Sequence, residues 1–309
     1  MRLKEIIGGL PASDSARAKR ARIHQGWWRS FVLNMPSGLN PVTNAEPVCS
    51  RLPSDADEKA NFISTEIGSL ALRIAQEHNA SAKKSGIVEI DRLKTNLLSS
   101  QPLCFNFFGM LALDKALGLK VVQAFYPEVD EFHGALFEYA PSPREKFTND
   151  NSAFDVALEV SAGGVKGLIG IECKYTETFS ETEYDKDRYR EIHAASKAFK
   201  FEYEAMKASR FNQLFRNQLI AESIIQAGLY GFVKTALLCA PDDEKAKATA
   251  SEFAAGLTTD FKTIDFLEYI SAIQKQDISN EQRRLSMMLW ARYLAHELSA
   301  AAASECERL

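Results

Sequence analysis

Cysteine is scarce in this chain of 309 residues: Cys49, Cys104, Cys173, Cys239 and Cys306 are odd in number and show no CxxC spacing. That excludes a disulfide framework or a cysteine zinc cluster as the organising device, and Cys104, Cys173 and Cys239, set in apolar runs, read as small core residues. The five histidines, His24, His78, His133, His193 and His296, are scattered without ligand spacing, which argues against a zinc or histidine-based centre. There is no GxxxxGK[ST] for nucleotide hydrolysis, no HExxH and no GxSxG. No run of about 18 apolar residues is found, and no apolar segment follows the N-terminal charges, so the expectation is a cytoplasmic protein with no membrane partner. A surplus of positive charge is missing too: 37 Lys and Arg stand against 41 Asp and Glu, a net charge of -4. Proteins that bind nucleic acid are more often basic, so such a role here requires positive charge that is local.

What is present is a hydrophobic share of 46% and a charged share of 25%, enough for a substantial buried core. The stretch that organises the chain runs from Phe154 to Tyr175, two apolar-rich runs joined by Gly163-Gly164. Because strand side chains alternate, Asp155, Ala157 and Glu159 share one face, opposite Phe154, Val156, Leu158 and Val160. In the second run Leu168, Gly170, Glu172 and Lys174 share a face. A Gly-Gly pair between alternating runs signals a hairpin, since both glycines tolerate positive φ. Its position between two strands also sets it apart from a phosphate loop, which opens a helix. The hairpin thus brings Asp155, Glu172 and Lys174 to one sheet edge. Two carboxylates offer hard oxygen ligands for Mg²⁺ or Mn²⁺, and the ammonium can hold a water and offset charge developing on phosphorus.

These residues resemble the PD-(D/E)XK nuclease superfamily, which includes restriction endonucleases and repair nucleases. Asp155 matches its first acidic residue and Glu172-Cys173-Lys174 its (D/E)-X-K tripeptide, while Phe154 replaces the leading proline. More narrowly, Ser100-Gln101-Pro102-Leu103-Cys104-Phe105-Asn106 followed by the IECKYTE segment is similar to a bacterial restriction-endonuclease-like group. The resemblance implies an α/β fold with an αβββαβ core, a central mixed sheet flanked by helices, and helical extensions at both ends. It implies Mg²⁺-dependent hydrolysis of DNA, with Asp155 and Glu172 as metal ligands, the Cys173 carbonyl as a further one, and Lys174 acting on water. A Gln, Lys or Arg on the helix after the motif is implied to reach back to the site; Gln213, Arg216 and Asn217 are the candidates, and spacing alone does not choose among them. Glu66, Gln101 and Asn106 are further candidates to border the cleft. Cutting of both strands implies a homodimer. The competing reading is a nuclease-like fold that only binds nucleic acid or a partner protein.

Along the chain, residues 1–99 read as an N-terminal helical extension, 100–245 as the core, and 246–309 as C-terminal helices. The basic stripe Arg17, Lys19, Arg20 and Arg22 reads either as phosphate contacts or as a solvated helix face, with Trp27 and Trp28 packing inward. Helices are predicted over 58–80, 103–117, 211–227, 246–255, 261–273 and 281–302, with a turn at Lys83, Lys84 and Gly86. Val121–Tyr126 is predicted as the first core strand, 135–139 as an extra one, and 232–240 as the fourth. The charged segment 176–208 reads as a salt-bridged helix pair or as a wall over substrate. Arg283, Arg284 and Arg292 are expected to face solvent.

Overall fold

A computed structural model describes residues 3–11, 13–81, 88–180 and 182–307; the turn predicted at Lys83, Lys84 and Gly86 lies outside them. The N-terminal part comprises α1 (Leu3–Ile7), α2 (Ala16–Trp27), the short pair β1 (Gly38–Leu39) and β2 (Pro47–Val48), α3 (Thr65–Ala80) and α4 (Ile90–Thr95). Then come α5 (Ser100–Leu113), α6 (Lys115–Phe125), β3 (Glu131–Tyr139), β4 (Phe154–Ala162) and β5 (Val165–Cys173). The second half comprises α7 (Asp187–Ala195), α8 (Tyr203–Met206), α9 (Asn212–Gln226), β6 (Phe232–Cys239) and α10 (Glu244–Ala255). It ends with β7 (Phe261–Asp265), α11 (Phe266–Gln274), α12 (Asn280–Tyr293) and α13 (Ala300–Glu307). One five-stranded sheet in the order β3-β4-β5-β6-β7 forms the centre. Its first three strands are antiparallel, and β6 and β7 join in parallel, so the expected α/β fold with a mixed sheet flanked by helices is present.

Each sheet face is covered by its own helices. Val156, Leu158, Val160, Ile169 and Ile171 pack with residues of α3, α5, α6, α11 and α12. Ala157, Leu168 and Val233 pack with Ile220, Ala221 and Ile224 of α9. The α5 helix is apolar nearly all round and buried from Gln101 to Leu111, as expected of a core helix. Its N-cap is Ser99, whose Oγ accepts from the Gln101 N–H at 3.2 Å.

Several elements depart from the sequence reading, each for a local reason. Val121–Tyr126 is helical, not the first core strand: Asp114 caps a new helix by accepting from the Ala116 and Leu117 N–H groups, and Leu117, Val121 and Val122 then form its buried face. The first core strand is β3, and it starts earlier than the extra strand expected. The predicted helix 58–80 begins only at Thr65, capped by Ser64. Residues 261–273 are a strand and then a helix, because Asp265 and Glu268 form a capping box that starts α11 and frees Phe261–Asp265 to pair with β6. The helix predicted over 281–302 is broken after Tyr293 by a 3-10 turn at His296–Ser299. Arg292 is 1% exposed and buried, while Arg283 and Arg284 face solvent as expected. Arg17, Arg20 and Arg22 are drawn to Asp243, Asp242 and Asp14, so they tie the N-terminal helix to the chain. No single helix among the described residues is long and apolar enough to cross a membrane; α5 and α6 reach that composition only as a pair bent by 115°.

In the hairpin, strands extend to Ala162 and resume at Val165, with Gly163 and Gly164 both at positive φ as the turn requires. Phe154 departs from strict alternation. Its ring packs in the same cluster as Ala157, on the α9 side, because Gly170 leaves room for it. A Cβ on Gly170 would stand 2.3 Å from that ring. Gly170→Ala is therefore expected to destabilise the protein by about 1–3 kcal/mol, the usual cost of overpacking, measured as a lower urea midpoint at unchanged slope; an unchanged midpoint would contradict this packing.

Candidate active site

The two central strands separate where the chemistry-bearing residues begin. Regular pairing of β4 with β5 ends at Val156 and Ile171, so Asp155 and Glu172 stand opposite one another one step beyond the ladder. There Asp155 Oδ2 accepts from the Cys173 N–H at 2.7 Å, a side chain replacing a ladder bond. On its other edge β5 stays fixed: the Lys174 N–H donates to the Leu238 carbonyl of β6 at 2.8 Å.

The α9 helix supplies the opposing wall. Gln213 and Asn217, one turn apart, fall on one helix face. Gln213 Nε2 donates to Glu172 Oε1 at 3.1 Å and Asn217 Nδ2 to Glu172 Oε2 at 2.8 Å, so both carboxylate oxygens are held. Lys174 Nζ donates to Gln213 Oε1 at 2.7 Å, stands 3.1 Å from Glu172 Oε1 and lies 5.2 Å above the Phe179 ring. Arg216 reaches the same cleft from a different side. Its Nε donates to Ser152 Oγ at 2.6 Å, and its guanidinium lies 3.6 Å from Asp150 Oδ2 and 4.9 Å above the Tyr184 ring.

Asp155, Glu172, Lys174, Gln213, Arg216 and Asn217 thus line one cleft of about 360 Å³. Gln101 lines it too, donating from Nε2 to Glu138 Oε1 at 3.2 Å. Asn106 does not reach it: it is fully buried, accepting from the Ile63 N–H at 2.9 Å and donating to the Tyr293 hydroxyl at 2.9 Å. Glu66 is exposed on α3 and lies outside the cleft lining.

Glu138, Glu177 and Asp150 are features of the cleft region that the sequence did not announce. Glu138 has a φ of 48°, a left-handed value near the end of β3, and lines the cleft with Asp155 and Glu172. Nothing in the alternation of β3 marks it. Glu177 accepts from the Ser100 N–H at 3.1 Å and lies 3.6 Å from Arg92. Asp150 accepts from the Ser152 N–H at 2.9 Å, a local turn bond that an Asp two residues before a Ser could have signalled. Burial disfavours its charge, but bonds from Tyr189, Ser152 and Thr148 outweigh that and hold its pKa below the usual value.

The electrostatics favour a cation. Burial, and then the charges of Glu172 and Glu138, push the Asp155 carboxyl well above its ordinary pKa. Burial works against the Lys174 ammonium, yet the carboxylates of Glu172 and Asp155 outweigh it and leave its pKa raised. Hard carboxylate oxygens in mutual repulsion fit a hard divalent ion. Cys104 and Cys173 offer sulfur within 4.8 Å of an Asp155 oxygen. Burial pushes the Cys173 thiol up to about 11 and the Cys104 thiol well above its usual value, so both favour the neutral thiol when no metal is bound.

A raised carboxyl pKa means that the folded state binds this proton more tightly than the unfolded chain does. The stability it contributes is present at acidic pH and is lost as pH rises from the ordinary carboxylate range through the elevated folded value. Without divalent ions, Asp155→Asn is therefore expected to raise the melting temperature at pH 8 and to change it much less at pH 4. A thermal scan giving a lower melting temperature for the variant at pH 8 would contradict the electrostatic account.

Comparison with known proteins places the chain in a family. The family model of the PD-(D/E)XK nuclease superfamily matches residues 12–295. Comparison with curated proteins gives no match, and neither does comparison with solved structures. The matched span holds the hairpin, the cleft and the helices on both sides of the sheet, and on that ground the chain belongs to the PD-(D/E)XK nuclease superfamily.

Proposed function

We propose that this protein is a metal-dependent phosphodiesterase that hydrolyses DNA in the cytoplasm. The observation that carries the reading is the meeting of Asp155, Glu172 and Lys174 in one cleft, with the ammonium 3.1 Å from the Glu172 carboxylate. Family membership supports a nuclease-type activity on a nucleic-acid substrate. Asp155 and Glu172 would hold Mg²⁺ or Mn²⁺, with the Cys173 carbonyl as a further ligand. A bound divalent ion supplies Lewis acidity at a phosphoryl oxygen and a more acidic water.

The chain's own groups divide the remaining work. Lys174, held as an ammonium by Gln213 and Glu172, donates to the incoming water and offsets the negative charge that grows on the non-bridging oxygens. Gln213 and Asn217 fix the Glu172 carboxylate so that it does not reorient during the reaction. Arg216, propped by Ser152 and Tyr184, offers a guanidinium for a neighbouring phosphate. Cutting both strands would use two copies, each contributing one cleft.

Plasmid cleavage in Mg²⁺ or Mn²⁺ tests the reading. Lys174→Ala is expected to lower the rate by about 100-fold or more, the scale for losing one group that stabilises transition-state charge. A variant as active as the wild type would overturn the role of Lys174. A wild-type protein that binds DNA without cutting it would favour the binding-module reading.

A further inference from the structure

The α2 and α12 helices meet the motif strand through a closed ring of buried polar groups that the chemistry above does not use. Arg292 is 1% exposed, and its guanidinium donates to neutral oxygens: Nη1 to the Asn61 carbonyl at 2.7 Å, Nη2 to Asn61 Oδ1 at 2.5 Å and Nε to Gln25 Oε1 at 3.3 Å. Gln25, fully buried, returns a bond from Nε2 to the Arg292 carbonyl at 2.8 Å and gives another to the Tyr175 hydroxyl at 2.9 Å. From Asn61 the ring continues to Asn106, whose Nδ2 donates to the Asn61 carbonyl at 3.1 Å and to the Tyr293 hydroxyl at 2.9 Å. Tyr293 closes it, edge-on to Tyr175 at 5.3 Å.

Tyr175 is the residue after Lys174, and the chain leaves β5 there. Its carbonyl accepts from Arg17 Nη1 at 2.6 Å, and Arg17 is in turn held by Asp243. Main chain and hydroxyl are thus both gripped by α2, at the point where regular pairing of β5 ends. A buried guanidinium is costly unless its N–H groups find partners, and the three bonds that Arg292 donates favour one arrangement of the elements that supply them. Three sequence-distant pieces, α2, the turn at Asn61 and α12, agree only when Tyr175 lies in this one place. We infer that Gln25 and Arg292 are positioning residues, which set the location of the Lys174 ammonium through Tyr175. The inference rests on the proposed role of Lys174.

The test uses the full chain with Gln25→Leu, Tyr175→Phe and the double variant. In plasmid cleavage, each single variant is expected to lower kcat by about 10- to 100-fold, the scale of a small misplacement of a reacting group. KM and the calorimetric affinity for Mn²⁺ should stay within about twofold, because the metal ligands and the phosphate contacts are untouched. The double variant should be no slower than the slower single one, since both break the same link. Losses that multiply, or that follow the folded fraction seen by circular dichroism, would assign these residues to stability alone and overturn the inference.

A second readout needs no activity. Amide hydrogen exchange of the Lys174 N–H should quicken in Gln25→Leu, while the Ile169 and Ile171 amides keep their protection. If the wild type cuts nothing yet this local loss appears, the nuclease reading fails and the positioning claim stands. Unchanged exchange at Lys174 would refute the positioning claim whatever the activity.

Discussion

Like charges brought together in a partly enclosed cleft are the constraint on which the rest of this structure depends. Asp155 and Glu172 face each other where two strands part, Glu138 adds a third carboxylate, and Lys174 is the cation set among them. Such an arrangement is unfavourable in itself, so every member is restrained: Asp155 by the Cys173 N–H, both oxygens of Glu172 by α9 amides, and Lys174 by Gln213. Natural folds keep such electrostatic strain where a ligand or a reaction uses it.

The fold supplies those restraints by layering. One sheet face packs on α5 and its neighbours, and the other on α9, so the α9 face that covers Ala157 and Leu168 also carries Gln213 and Asn217 to the motif. The same packing that stabilises the sheet therefore fixes the distance between the helix amides and Glu172. Beyond the end of β5, α2 bonds both the carbonyl and the hydroxyl of Tyr175 and is itself joined to α12 through Gln25. The cleft is built from residues far apart in the chain, and its geometry depends on cooperative packing.

The motif hairpin was legible because alternation and a Gly-Gly turn are local signals, and the structure follows both except at Phe154. That residue moved to the α9 side because a glycine on the neighbouring strand left a space of ring size, a tertiary fact with no local trace. Over Val121–Tyr126 a short apolar run suits a buried strand or a buried helix, and Asp114 as a cap decides for the helix α6. β7 was hidden for the converse reason, since an apolar run continued through Asp265 and Glu268, whose capping box marks a helix start. Within the cleft, the family resemblance offers Gln213, Arg216 and Asn217, but which side of α9 faces inward follows from packing. Glu138 could not be found at all, because its contribution comes from a left-handed backbone angle at the end of a strand. Nothing local marks Arg292 as buried, since most arginines on a C-terminal helix face solvent, and the polar ring that buries it joins partners from distant segments.

The proposed chemistry requires Asp155 and Glu172 together to hold a hard divalent ion beside Lys174. The most direct measurement is a crystal grown with Mn²⁺ and examined for anomalous scattering. One peak is expected at about 2.0–2.3 Å from an oxygen of each carboxylate, the range for a small oxygen-liganded cation. A peak seated on the sulfur atoms of Cys104 and Cys173, or none between the two carboxylates at saturating Mn²⁺, would contradict it.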